Sequence, residues 1–304
     1  MKKTIHFVTI VYGHGETIWR KAAADVRLLF MRGTGKAAPF AKKSFGQNFL
    51  SDRSVIDRIV GALDLKTGET IVEIGPGRGA LTEKLIESGA QVAAIELERE
   101  MIKVLRGKFS AAGNFRLIEQ DALKTDFGAL VESFETAEPV RAAKLVANLP
   151  YYISTAILQK LIDDRRFFSE MVLMFQREVV ERITAAPGDA ERGFLSVLVE
   201  TYLETEKLFD VPPGAFRPAP KVWSAVVRLS PKPRVAIGQD ESYRRLLSAA
   251  FRQKRKTIYN NLKTLPIENV GWPEALAAAG VDPTRRAETL SLDEWRKLHE
   301  AAGS

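Results

Sequence analysis

Three hundred and four residues, 45% hydrophobic and 27% charged, describe a folded chain long enough for one large domain and a smaller one. The lack of cysteine excludes a disulfide scaffold, thiolate zinc sites, iron–sulfur clusters and thiol catalysis. Three histidines, His6, His14 and His299, leave no His-based metal cluster or catalytic triad in the middle of the chain.

The formal charge of +7 is uneven. Residues 1–47 hold nine Lys and Arg against Glu16 and Asp25, and the remainder is balanced. A nucleic-acid site in that remainder must therefore be a local patch rather than a global field. Residues 244–263, RRLLSAAFRQKRKTIYNNLK, fit that description with seven basic side chains and no acidic one.

Residues 1–40 show no sustained period and read as a basic N-terminal extension, or as upstream translation before Met31. No apolar core precedes a small-residue cleavage site, and no apolar run reaches about 18 residues, so a cytoplasmic protein without a membrane span is expected. From residue 51 the apolar period is helical, with Val55, Ile56, Ile59, Val60 and Leu63 on one face. Strand-like TIVEI (70–74), a Gly-rich turn, helix 80–88, strand 91–96, helix 99–109 and strand 115–120 follow. KLVAN (144–148) is the next strand, then helix 154–163, strand 171–175 and helix 177–185. This alternation predicts parallel βαβ units in a doubly wound, Rossmann-like α/β sheet. Two β-rich pieces near 202–210 and 223–229 flank the Pro-rich VPPGAFRPAP, and after Pro233 the pattern is helical to the end. The expected division is an extension (1–40), an α/β domain (41–232) and a small helical domain (233–304).

The chemistry-bearing residues fall at the carboxyl ends of the predicted strands, where open α/β sheets bind ligands. Glu73-Ile-Gly-Pro-Gly-Arg-Gly79 joins a strand to a helix, and Gly75 and Gly77 permit close ligand approach. Alone this turn also fits a dinucleotide pattern, G-x-G-x-x-G/A, or a tight turn with no ligand. Glu96 ends the next strand, where a carboxylate can bind both hydroxyls of an adenosine ribose. Asp121 ends the third, where it can accept from an adenine amine or simply cap the turn after it. Asn148-Leu149-Pro150-Tyr151 ends the fourth and separates methyl transfer from hydride transfer. The Asn148 side-chain oxygen and the Leu149 carbonyl can accept the two N–H bonds of a base amine, favouring a pyramidal nitrogen, while Tyr151 stacks on the base.

With these residues in place the chain resembles the small-subunit ribosomal RNA adenine dimethyltransferase family. The matching segments run from residue 42 to 262: KKSFGQNFL (42–50), VEIGPGRGALT (72–82), IELER (95–99), QDAL (120–123), NLPYYIS (148–154), FQREVVERI (175–183), LSVLVE (195–200), VPPGAFRPAPKVWSAVVRL (211–229) and FRQKRKTIYNNL (251–262). The extension before residue 40 lies outside the family pattern. Tyr152 departs from the Asn frequent there, which bears on a supporting hydrogen bond and leaves the tetrad intact.

The resemblance implies an S-adenosyl-L-methionine-dependent enzyme that dimethylates the N6 amines of two adjacent adenosines near the 3′ end of 16S rRNA, acting on the small ribosomal subunit as a monomer and without a metal. It implies that Asn48 and Leu50 close over the cofactor, that Gly75 contacts its amino-acid portion, Glu96 its ribose and Asp121 its adenine. Asn148 would touch both cofactor and target amine, and Phe216 would be a second aromatic platform for the flipped base. Unstacking that base costs a few kcal/mol and one aromatic stack returns about 1–3 kcal/mol, so a second face would settle the balance. Lys254, Arg255 and Lys256, helped by Arg252 and Lys221, are the candidate phosphate contacts; the alternative is a solvated helix face. A large-subunit methylase of the antibiotic-resistance type, a non-catalytic assembly or transcription factor of the same fold, and a dehydrogenase are the competing readings.

Overall fold

The computed structural model describes residues 48–134, 142–151, 153–232, 240–267 and 270–303. The expected extension 1–40, segment 42–47, Tyr152 and the 232/233 boundary's C-terminal side lie outside the described residues.

Some of the helices begin at a side chain that satisfies free backbone donors. Helix α1 (Arg53–Ala62) is capped by Asp52, which accepts from the N–H groups of Ser54 and Val55. Strand β2 (Thr70–Ile74), helix α2 (Ala80–Glu87), β3 (Gln91–Glu96), α3 (Arg99–Phe109) and β4 (Phe115–Glu119) follow the expected alternation almost residue for residue. A short α4 (Phe127–Glu132) caps on Asp126 and precedes β5 (Ala143–Asn148), α5 (Ser154–Asp163), β6 (Phe168–Gln176) and α6 (Arg177–Ile183). Helix α7 (Phe194–Tyr202) runs without a break into β7 (Leu203–Val211).

The main sheet has seven strands in the order β4-β3-β2-β5-β6-β9-β7, where β9 is Ser224–Pro231. Strands β2 to β6 are parallel. Strand β9 alone is reversed, pairing antiparallel with both β6 and β7, a direction that the sequence reading did not address. The physical reason is the connection. Residues 212–223 hold no crossover helix, and a parallel return needs one. Because β9 runs backwards, its first residue, Ser224, pairs with Gln176 at the carboxyl end of β6.

Two-residue strands β1 (Phe49–Leu50) and β8 (Phe216–Arg217) form a separate antiparallel pair with Leu50 opposite Phe216. One apolar core lies between this pair, α1, α2 and the sheet. The other face packs on α5, α7 and the C-terminal helices α8 (Asp240–Ala250), α9 (Ile258–Leu262), α10 (Trp272–Ala278) and α11 (Leu292–Ala301). Arg192, its side chain 1% exposed, ties that face together. It donates to the Ala185 carbonyl at 2.7 Å, to Glu200 at 2.5 Å and to the Leu290 carbonyl at 3.4 Å.

Candidate active site

The carboxyl edge of β2 opens into the glycine turn. Gly77 has φ +56° and Gly79 φ +83°, left-handed conformations that an L side chain rarely adopts. At Gly79 the need is also steric, since a Cβ would sit 2.5 Å from the Phe109 ring. A Cβ on Gly77 would meet the Phe49 ring at 3.3 Å, so β1 lies directly over the turn. The Arg78 guanidinium stacks on the same ring, 4.6 Å from its centroid. Gly75 lies beside the end of β5, where an added Cβ would be 4.0 Å from the Asn148 carbonyl oxygen.

Glu96 is joined to that turn rather than left in solvent. Its Oε2 accepts the Gly77 N–H at 3.2 Å, and its Oε1 accepts the N–H groups of Leu97 and Glu98 at 2.8 and 2.9 Å. Asp121 accepts the Leu123 N–H through Oδ1 at 3.0 Å, so it does cap its turn, and Oδ2 has no partner among the described residues. Leu97 and Leu123, the neighbours of these two acids, are 65% and 39% exposed. Exposed leucines flanking two strand-end carboxylates offer apolar faces to a flat ring.

Behind the turn sits a carboxyl that the motif reading passed over. Glu73, inside the wholly buried strand β2, is 1% exposed and accepts the Thr82 hydroxyl at 2.6 Å. Burial pushes its pKa up to about 7, the Thr82 bond opposes the shift, and the nearby Glu96 charge adds to it. The signal was available: an acid in a strand whose other side chains are Thr, Ile, Val and Ile.

At the end of β5, Asn148 is half-buried and pairs with Met174, and Leu149 is buried. The Pro150 carbonyl accepts the Ile153 N–H at 3.1 Å, closing the turn. The Tyr151 hydroxyl lies 3.0 Å from the Ser224 hydroxyl, and its carbonyl accepts from Ser154 at 3.0 Å. The phenol is thus held from both ends while its ring stays half-buried.

Phe216 requires a correction. It is 1% exposed and packed in the core with Leu50, Val55 and Ile56, so no face of its ring is open to a base. A large aromatic side chain gains more by joining this apolar core than by facing water. The Leu50 side chain turns into the same core, which leaves the Phe49 ring as what β1 presents above the turn, with the half-buried Asn48 just before it in the chain.

The basic residues fall into two places. Lys221 precedes β9 at the carboxyl edge and is exposed. Arg252, Lys254, Arg255 and Lys256 are exposed after α8, in the helical part. Arg252 donates to Thr264 at 3.2 Å and Lys254 to the Ala190 carbonyl. Among the described residues no carboxylate pairs with these four, no His/Cys/Asp/Glu group could hold a metal ion, and no helix is long and apolar enough to cross a membrane.

A mixed sheet of this order, with a glycine turn tied to a strand-end acid, defines a Rossmann-like methyltransferase that uses S-adenosylmethionine. The chain belongs to the ribosomal RNA adenine dimethylase family, whose model matches residues 40–302. It is similar to the ribosomal RNA small subunit methyltransferase A of Hahella chejuensis, 45% identical over 260 residues (85% of this chain, 91% of that protein). The enzyme of the same name from Geobacter metallireducens is 42% identical over 275 residues (89% and 98%). Among solved structures, a dimethyladenosine transferase from Plasmodium falciparum matches with TM-score 0.69 and 27% identity, covering 82% of this chain and 95% of that one. The 23S rRNA methyltransferase ErmE matches with TM-score 0.61 and 26% identity, covering 84% and 100%.

Proposed function

We propose that this chain dimethylates the N6 amines of two adjacent adenosines near the 3′ end of 16S rRNA, during assembly of the small ribosomal subunit. The observation that carries the reading is the placement of Asn148-Leu149-Pro150-Tyr151 beside the Gly75 turn, with a Gly75 Cβ position 4.0 Å from the Asn148 carbonyl. Relatives more than 40% identical over most of both chains, and named for the small subunit, favour that substrate over the large-subunit RNA named for ErmE.

The residues present fit S-adenosylmethionine. Gly75 and Gly77 leave room for its amino-acid portion, Glu96 accepts from its ribose hydroxyls, and Asp121 accepts from its adenine amine, with Leu97 and Leu123 against the ring. Bound there, it supplies an electrophilic methyl group on a sulfonium. Asn48 and the Phe49 ring close the turn from above and exclude water.

The amine's lone pair is delocalised into the purine, so the protein's task is orientation. The Asn148 side-chain oxygen and the Leu149 carbonyl accept the amine's hydrogens and turn the lone pair out of the ring plane. Tyr151, fixed through Ser224, stacks on the base. The exposed cations at 252–256 hold the RNA backbone.

Asn148→Ala is expected to lower dimethylation of small-subunit RNA by about 100-fold or more, with cofactor affinity within about threefold. Mass spectrometry of the RNA and calorimetry with the cofactor check the two halves. Normal turnover by the variant would remove Asn148 from the chemistry, and methylation of large-subunit RNA alone would move the substrate.

A further inference from the structure

Large apolar side chains left in solvent are few, and their positions are not scattered. Among the described residues they are Leu97, Leu123, Val222, Trp223 and Val270. The first two flank the acids proposed to hold adenosine. Val270 lies in the helical part. Val222 and Trp223, 43% and 45% exposed, remain at the carboxyl edge with nothing in the reaction so far to cover them.

Their placement follows from the reversed strand. Trp223 immediately precedes Ser224, the residue whose hydroxyl holds the Tyr151 phenol at 3.0 Å. The Trp223 carbonyl accepts the Arg177 N–H at 2.9 Å, which pins its backbone to the carboxyl end of β6. Alternation along the strand puts Trp223 on the side of Ala225 and Val227, the face that packs on the C-terminal helices, and opposite to Ser224. The indole therefore stands one residue from the target-binding corner, on the side of the sheet that carries the basic residues 252–256. Lys221 and Arg217 are exposed on the loop beside it.

We infer that Trp223 is a stacking platform for the nucleobase adjoining the adenosine held at Tyr151. This rests on the proposed function above. A single exposed indole with Lys221 and Arg217 exposed on the loop before it suits one planar base and its phosphate; a docking protein would bury a larger contiguous apolar surface than two side chains supply. Stacking on tryptophan tolerates any base, so the platform serves whichever neighbour of the target adenosine is splayed from the helix.

The test uses a fragment of small-subunit rRNA containing the adjacent adenosines, with the wild-type protein, Trp223→Ala and Trp223→Phe. Trp223→Ala is expected to raise KM for the RNA by about 10-fold and leave cofactor affinity unchanged, and Trp223→Phe to recover most of the loss. Trp223 fluorescence, read as the wild-type signal minus that of Trp223→Phe, is expected to be quenched when the RNA binds. An unchanged KM in Trp223→Ala, or no quenching, overturns the platform. A wild-type protein that binds the RNA without methylating it overturns the functional reading instead, and the quenching measurement then still decides Trp223.

Discussion

On the β2–β3 half of the carboxyl edge the polar groups are already engaged within the protein. Glu96 takes three backbone N–H groups and Glu73 takes the Thr82 hydroxyl, both under a turn closed by Phe49. On the β5–β9 half the groups face outward. Asn148 and Tyr151 are half-buried, Lys221 and Trp223 are exposed, and the Tyr151–Ser224 contact is the main internal restraint. Under the proposed function, the difference teaches how one edge would serve two ligands. A small cofactor of fixed shape is met by a preorganised cradle, whereas a long polyanion is met by surface groups that gain their partners on binding.

The largest effect that sharpens this contrast lies in the cradle. The Glu73 pKa of about 7 stands above the ordinary carboxyl value of 4.5, mainly because of burial. Between those values the native chain keeps a proton that the unfolded chain releases, so stability falls as pH rises from about 4.5 to 7. The cost is complete above that range, at about 3 kcal/mol. Glu73→Gln keeps an acceptor for Thr82 and removes the titration. Its urea midpoint is expected to rise relative to wild type at pH 8 and to match it near pH 4.5; parallel profiles for the two proteins would show that Glu73 does not titrate in this window.

Next in size is Glu96→Ala, expected to weaken cofactor binding about 30-fold through loss of charge-assisted bonds worth roughly 2 kcal/mol. Calorimetry reads it directly, and an unchanged affinity would return Glu96 to a purely loop-building role. The smallest is Lys254→Glu with Arg255→Glu. Both side chains are exposed, so the melting temperature should hold, while RNA affinity falls about 10-fold at 0.15 M salt and the log–log salt slope drops by about 2. Identical binding at low salt would make the 252–256 cluster a solvated surface and leave the outward half with Lys221 and Trp223 alone.

How much of this was legible from residues alone depended on whether a side chain's partner was local. Strands 70–74 and 91–96 and helices 99–109 and 154–163 end where the apolar period ends. Helix Phe194–Tyr202 was not read, because FLSVLVETY is buried nearly all round and shows no polar face to mark a period. The direction of β9 was equally hidden, since alternation is the same read either way. In the site, the Gly75, Glu96, Asp121 and Asn148 positions follow from strand ends. Exposure does not follow from residue type: Phe216 looked like a platform and is core, whereas Trp223 looked like part of a strand and stands in solvent.

The guanidinium of Arg192 sets a limit on trimming the polypeptide. Ending the chain before Leu290 would strip away that carbonyl and, with it, the fully enclosed indole of Trp295 that packs against Phe251. A cation with 1% of its side chain in contact with water would be left short of a ligand inside an apolar wound. The last turns of the protein therefore act as a keystone for the catalytic sheet, and the distance from Asn148 to the exposed cations of 252–256 is a dimension of a solid body rather than the reach of a tether.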